Sequence, residues 1–186
     1  MLASESSTDA AHLLAAWRSG NLAARDRLFA LLYPDLRRAA AALIRREPGV
    51  SFSTADLVNE AAARLINLDR IACADRAHFL ALAARMMRRA LLDHARHHRA
   101  AKRAHERVDL HTGIPGTPVL ELDELCEALN RLAAIDPVRA DIVEMRYFGG
   151  MELGEIAAVL GLSESTVKRR WNGARLWLLE ALTPEG

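Results

Sequence analysis

The stretch "MELGEIAAVLGLSESTVKRRW", residues 151–171, decides how this 186-residue chain is read. A helix-turn-helix needs a small residue where its two helices cross. It also needs a glycine able to turn left-handed between them, and apolar side chains that lock the pair. Ala157, Gly161 and the set Ile156, Leu160, Leu162 and Val167 supply all three. Ser163 then falls at the N-cap of the second helix, where its oxygen accepts an orphan amide. Val167, Trp171, Ala174 and Leu178 recur at helical spacing and are expected to face inward, with Trp171 as a core residue rather than a base stacker. The opposite face holds Ser165, Thr166, Lys168, Arg169, Asn172 and Arg175, groups that donate to base edges and phosphates. A plain helical hairpin would also have a solvated charged face. The basic cluster nevertheless lies where a recognition helix makes contact, which favours DNA.

Outward from this stretch, apolar positions recur at three and four residues and no convincing run alternates with period two, so the expected fold class is all-α. One helix is expected from near Thr8 or Asp9 to Ser19, where "SGN" combines stop and start signals. A second runs from about Leu22 to Arg46 and contains Pro34, a kink position. Ser53 with Asp56 three residues on reads as a capping box, with Leu57, Ala61, Leu65 and Leu68 striped behind it. The fourth helix, about 76–106, carries Phe79, Leu82, Met86, Met87, Ala90, Leu91 and Ala95 at helical spacing. Residues 108–120, "VDLHTGIPGTPVL", break the pattern with two glycines and two prolines and are the best linker in the chain. The expected organisation is therefore a helical unit over 8–107, a linker over 108–120, and a second unit over 121–183. Helices are expected there near 121–134, 137–148, 152–160 and 163–182. Asp136 followed by Pro137 starts the second of these sharply.

Net charge is only +1, yet its distribution is uneven. From Arg85 to Arg107 eight basic residues stand against Asp93 and Glu106, whereas residues 108–130 hold five acids and no lysine or arginine. A basic stripe thus lies beside an acidic segment. No stretch approaches the ~20 apolar residues of a membrane span and the start lacks the order of a secretory signal, so the expected location is cytoplasmic. Cys73 and Cys126 match no paired ligand spacing and read as buried reduced thiols. His94 and His98, at i and i+4 in "DHARHH", could share a metal, but no second ligand cluster and no Gly-rich phosphate loop accompany them. Neither enzyme activity nor a metal or other cofactor is expected.

Residues 143–182, from "VEMRYFGG" through the helix-turn-helix to "RLWLLEAL", resemble region 4 of bacterial RNA polymerase sigma factors of the small, extracytoplasmic-function (ECF) type. "LLAAWRSGNLAARDRLFALLYPDLRRAAAALIRRE", "TADLVNEAAARLINL" and "RAHFLALAARMMRRALLDHARHHRAAKR" resemble region 2 in the same order. The resemblance implies a subunit that joins core RNA polymerase, at the clamp helices of the largest subunit and at the flap, and directs it to promoter DNA. It implies minus-35 contacts from Ser163, Ser165, Thr166, Lys168, Arg169, Arg170, Asn172 and Arg175. Minus-10 contacts are implied for His78, Phe79, Arg85, Arg88, Arg89, Arg96, Arg99, Lys102 and Arg103, with His78 and Phe79 at the mouth of a base pocket. Asp56, Asn59, Glu60, Arg64 and Asn67 would bind polymerase. Two departures, Met86 after Arg85 and "STAD" with Asp56 as its sole acid, are similar to a subgroup associated with serine/threonine kinases. Phosphorylation of Ser53 or Thr54 would supply the missing charge, against the simpler reading that both cap the helix. Control by an anti-sigma factor is equally compatible with the family. The rival to the sigma reading is a helix-turn-helix regulator that works without polymerase.

Overall fold

Turn chemistry sets the helix boundaries in a computed structural model of the chain, which describes residues 2–46, 52–68, 73–102, 107–109 and 119–183. The helices are α1 (Leu2–Arg18), α2 (Leu22–Arg46), α3 (Thr54–Ile66), α4 (Arg76–Lys102), α5 (Leu122–Ile135), α6 (Pro137–Tyr147), α7 (Leu153–Leu160) and α8 (Glu164–Leu182). Between α1 and α2, Ser19 Oγ donates to the Ala16 carbonyl, Gly20 takes φ +96°, and Asn21 Oδ1 accepts the Ala24 amide. One helix is thereby closed and the next capped within three residues. The fold is all-α.

Two boundaries differ from the sequence reading. α1 begins at Leu2, so Thr8 and Asp9 lie inside it rather than capping it. Serine and threonine disfavour a helix interior only mildly, so they do not compel a start. α4 is described to Lys102, and its expected end near Glu106 lies outside the described residues. The segment read as a linker contains two short strands, β1 (Arg107–Asp109) and β2 (Val119–Glu121), paired antiparallel with Val108 opposite Leu120. Three residues are too few to display a period of two, which is why no strand was expected there. The remainder of that segment, 110–118, lies outside the described residues.

The α1–α4 core gathers Leu14, Leu28, Leu32, Leu36, Leu43, Leu57, Leu65, Phe79, Met87 and Leu91, all fully buried. Phe79 meets Phe29 edge-on at 5.6 Å, a favoured aromatic geometry. α5–α8 bury Leu125, Leu129, Leu132, Ile142, Val143, Phe148, Ile156, Val167, Ala174 and Leu178. These two groups join in one continuous apolar cluster, because α4 packs against α2 and α3 on one side and against α5, α6 and α7 on the other. Small residues make the second contact close. A Cβ on Gly149, just after α6, would stand 2.9 Å from the Ala84 Cβ, and one on Gly150 would stand 3.8 Å from Ala39.

Cys73 and Cys126 are buried free thiols. Burial pushes the Cys73 thiol up to about 11, so it stays protonated and unreactive at neutral pH. Phe79→Ala should destabilise the chain by about 3–5 kcal/mol, as expected when a fully buried ring leaves a cavity. Denaturant unfolding of the variant measures it, and a loss below 1 kcal/mol would mean that Phe79 is not a core residue.

Candidate nucleic-acid interface

The α7–α8 turn is held by its own backbone. Gly161 takes the left-handed conformation, φ +63° and ψ +32°, while the amides of Gly161 and Leu162 bond back to the carbonyls of Ala158 and Ala157. A side chain at that φ would be strained. Ser163 Oγ accepts the Thr166 amide at 3.3 Å and donates to Thr166 Oγ1 at 2.9 Å, capping α8 as the sequence implied. Val167, Ala174 and Leu178 are buried beneath it. Trp171 is half-buried against that core, with the Arg175 guanidinium 5.9 Å from its ring centroid.

Of the eight residues expected to contact DNA from α8 and its cap, Ser163, Ser165, Lys168, Arg169 and Asn172 stand exposed together at the N-terminal half of the helix. Arg170 does not join them. It lies three residues after Val167 and four before Ala174, on the side of the helix that meets α6, and Nη1 pairs with Asp136 at 3.2 Å. Thr166 is drawn into the cap, and Arg175 lies over Trp171. Asp136 therefore has a second role that its capping pattern did not reveal. The same carboxylate that accepts the Arg139 amide at 3.0 Å at the start of α6 also ties α6 to α8.

On α3 the five residues expected to bind polymerase fall into two groups. Asp56, Asn59 and Asn67 are exposed along one stripe that also carries Ile66. Glu60 and Arg64 lie to its side, with Arg64 bonding Glu60 at 2.9 Å and Asp93 of α4 at 2.8 Å. Ser53 and Asp56 form the expected capping box, in which Ser53 Oγ accepts the Asp56 amide and donates to its carboxylate at 2.6 Å. Phe52, just before the cap, stacks on His94 at 4.3 Å, so this histidine is packed against α3.

α4 separates its expected contacts more sharply. His78 sits at the surface, its ring Nδ1 2.9 Å from Asp75, which also accepts the His78 amide. Phe79 cannot be at the mouth of a pocket, because its position in the helix turns it fully into the core. Arg89 and Arg96 are exposed. The side chains of Arg99 and Lys102, and the whole of Arg103, lie outside the described residues. Arg88 is part-buried against α5 and α6, meeting Glu144 at 3.2 Å, Asn130 at 2.8 Å and the Cys126 carbonyl at 3.0 Å, whereas Arg85 stays exposed while pairing with Asp141 at 2.7 Å. Arg76, which the sequence did not single out, bridges Asp35 at 2.8 Å and Glu155 at 3.0 Å.

A family model described as "ECF sigma factor" matches residues 7–184. The chain belongs to the ECF sigma factor family. It is a sigma factor, directing promoter-specific initiation by core RNA polymerase, and the polymerase-independent regulator is not favoured. None of the curated proteins matches the chain. Among solved structures it is similar to CnrH, determined in complex with the cytosolic domain of CnrY, at 24% identity over 91% of this chain and 94% of that one, with a TM-score of 0.42. Among the described residues no helix is long and apolar enough to cross a membrane.

Two predictions concern how this sigma factor holds its helices. Asp136→Ala should lower stability by about 1–2 kcal/mol, the scale of a lost N-cap, and denaturant unfolding measures it. Asp75 behaves differently with pH. Partial burial opposes its charge, but the amide and ring of His78 outweigh that and hold the carboxyl below its usual value. A carboxyl depressed on folding stabilises the protein above its unfolded-state value and loses that contribution as pH falls through its folded-state value. Asp75→Asn should therefore destabilise at neutral pH, with the gap to wild type closing as pH falls below about 4. Melting curves across that range check it, and a constant gap would contradict it.

Proposed function

We infer that α8 reads the minus-35 element, that α4 engages the separated minus-10 strand, and that the exposed stripe of α3 docks on the clamp helices of the polymerase largest subunit. The observation that carries this reading is the row Ser165, Lys168, Arg169 and Asn172, exposed on a helix whose start is fixed by Gly161 and Ser163 and whose back is buried. Rigid placement of a few donors over about two turns is what base-edge recognition in a major groove requires. On α4, Arg89 and Arg96 offer charge along an exposed face, suited to the phosphates of a strand held apart from its complement. The unit boundaries follow the same division, with residues 8–107 serving polymerase and minus-10 contacts, 108–120 connecting, and 121–183 serving the minus-35 element.

Arg169→Ala should reduce minus-35-dependent transcription by about fivefold or more, the effect of losing one base or phosphate contact of ~1–3 kcal/mol. Polymerase binding should stay near wild type. Reconstituted transcription and core-binding assays measure the two, and loss of polymerase binding instead would reassign this face of α8.

The kinase-associated subgroup carries its own proposal, that phosphate on α3 completes the acidic start of the polymerase-binding helix. Ser53 is poorly suited to it, because its hydroxyl is committed in both directions to Asp56, and a phosphate there would face that carboxylate. Thr54, in the first turn, carries no such commitment to the capping box and sits where a helix N-terminus favours added negative charge. Thr54→Asp should raise transcription in vitro while Ser53→Asp should not, and activity of Thr54→Asp no higher than wild type would remove the kinase proposal.

A further inference from the structure

Two residues of the second unit break a local rule at the same place. Gly173 stands in the interior of α8, where glycine is the least favourable residue short of proline. Arg139 stands in the first turn of α6, which holds no acidic residue and whose positive dipole end disfavours a cation. The two meet. A Cβ built on Gly173 would stand 3.6 Å from Arg139 Cζ, 3.7 Å from Nη2 and 3.8 Å from Nε, near-equal distances that lay the guanidinium plane flat over the glycine. A side chain extending beyond Cβ there would displace it. Where two helices each accept an unfavourable residue so that one contact can form, the contact has a use beyond helix stability.

The charges around this contact do not cancel. Asp136 lies 3.2 Å from Arg170 Nη1 and 3.2 Å from Arg139 Nε, so one carboxylate is shared by two guanidiniums and a positive charge is left over. Asp136 holds the near end of the Arg139 group by charge, since Nε is buried but not aligned for a hydrogen bond. Among the described residues nothing accepts a hydrogen bond from Arg139 Nη1 or Nη2, and the side chain is 40% exposed. The guanidinium lies alongside the exposed row of α8, because Arg169 stands one helical turn before Gly173 and Asn172 directly precedes it.

We propose that Arg139 is a further DNA-binding residue: Asp136 and Gly173 hold its guanidinium beside the row on α8, where Nη1 and Nη2 take a backbone phosphate of duplex DNA. This role rests on the reading that α8 enters the minus-35 element. A helix seated in the major groove has base edges beneath its outer row and phosphates along the groove walls beside it. A guanidinium reaching round from the neighbouring helix meets the wall, and its planar fork suits a phosphate as it suits a carboxylate. Arg139 would fix the angle at which α8 enters the groove without itself reading sequence.

A phosphate contact is independent of sequence, so the test is binding of the full chain to a mixed-sequence duplex of about 25 base pairs at salt from about 20 to 200 mM. Arg139→Gln should lower the slope of log affinity against log salt by about 0.9 and weaken binding about fivefold or more at low salt. Arg139→Lys, which keeps the charge, should retain most of the slope. Arg131→Gln, which removes a charge from an exposed site near the far end of α8, should match wild type. A wild-type slope in Arg139→Gln beside a lowered one in Arg169→Ala overturns the role of Arg139 and leaves α8 as the reader. Weaker binding by Arg139→Gln at an unchanged slope makes the residue structural only and overturns it too, as does an equal drop in Arg131→Gln. Wild-type slopes in both Arg139→Gln and Arg169→Ala contradict the reading of α8 itself, as does a wild-type chain that binds no duplex at the lowest salt.

Discussion

α4 has to bury two faces at once. Phe79, Met87 and Leu91 tie it into the α1–α3 bundle, while Ala84 and the Arg85–Arg88 pair meet α5, α6 and the Gly149–Gly150 turn. A helix loaded on both sides cannot shift for one partner without disturbing the other, because packed interiors do not deform continuously. The continuous apolar cluster follows from this constraint. So does the division of the basic stripe into arginines paired with acids of the second half, Arg85 and Arg88, and arginines left at the surface, Arg89 and Arg96.

The end proposed to read DNA obeys a different logic. α8 is positioned by a left-handed glycine, a serine cap and the Asp136 carboxylate that starts α6 and reaches Arg170. None of these groups belongs to the exposed row, yet each removes a freedom that Lys168, Arg169 and Asn172 would otherwise have. Recognition of base edges tolerates little angular error, so under the proposed reading the supporting residues would matter to specificity without being contact residues themselves. Arg170 illustrates the distinction: one position from Arg169 in sequence, it serves to brace the helix.

Much of this was legible in the residues. The helix-turn-helix, the two caps at Ser53 and Ser163 and the cap at Asp136 depend on contacts within a few residues, and their patterns gave the right local geometry. Burial of Phe79 was equally readable from its helical spacing, but the family resemblance drew it toward a base pocket, and the period proved the better guide. What stayed hidden were pairings across long separations. Arg88 to Glu144 and Arg170 to Asp136 depend on how helices cross, and a single sequence does not encode crossing geometry in any local signal. The three-pair β1–β2 ladder was missed for the opposite reason, being too short to carry a period at all.

The account as a whole makes this chain a polymerase subunit whose proposed DNA-reading helix, α8, acts only in company with the enzyme. Mapping the chain and RNA polymerase across the genome of the native cell, in one experiment, tests that most directly. The account predicts that sites occupied by the chain coincide with polymerase just upstream of transcription starts. Stable occupancy of sites that lack polymerase would contradict it.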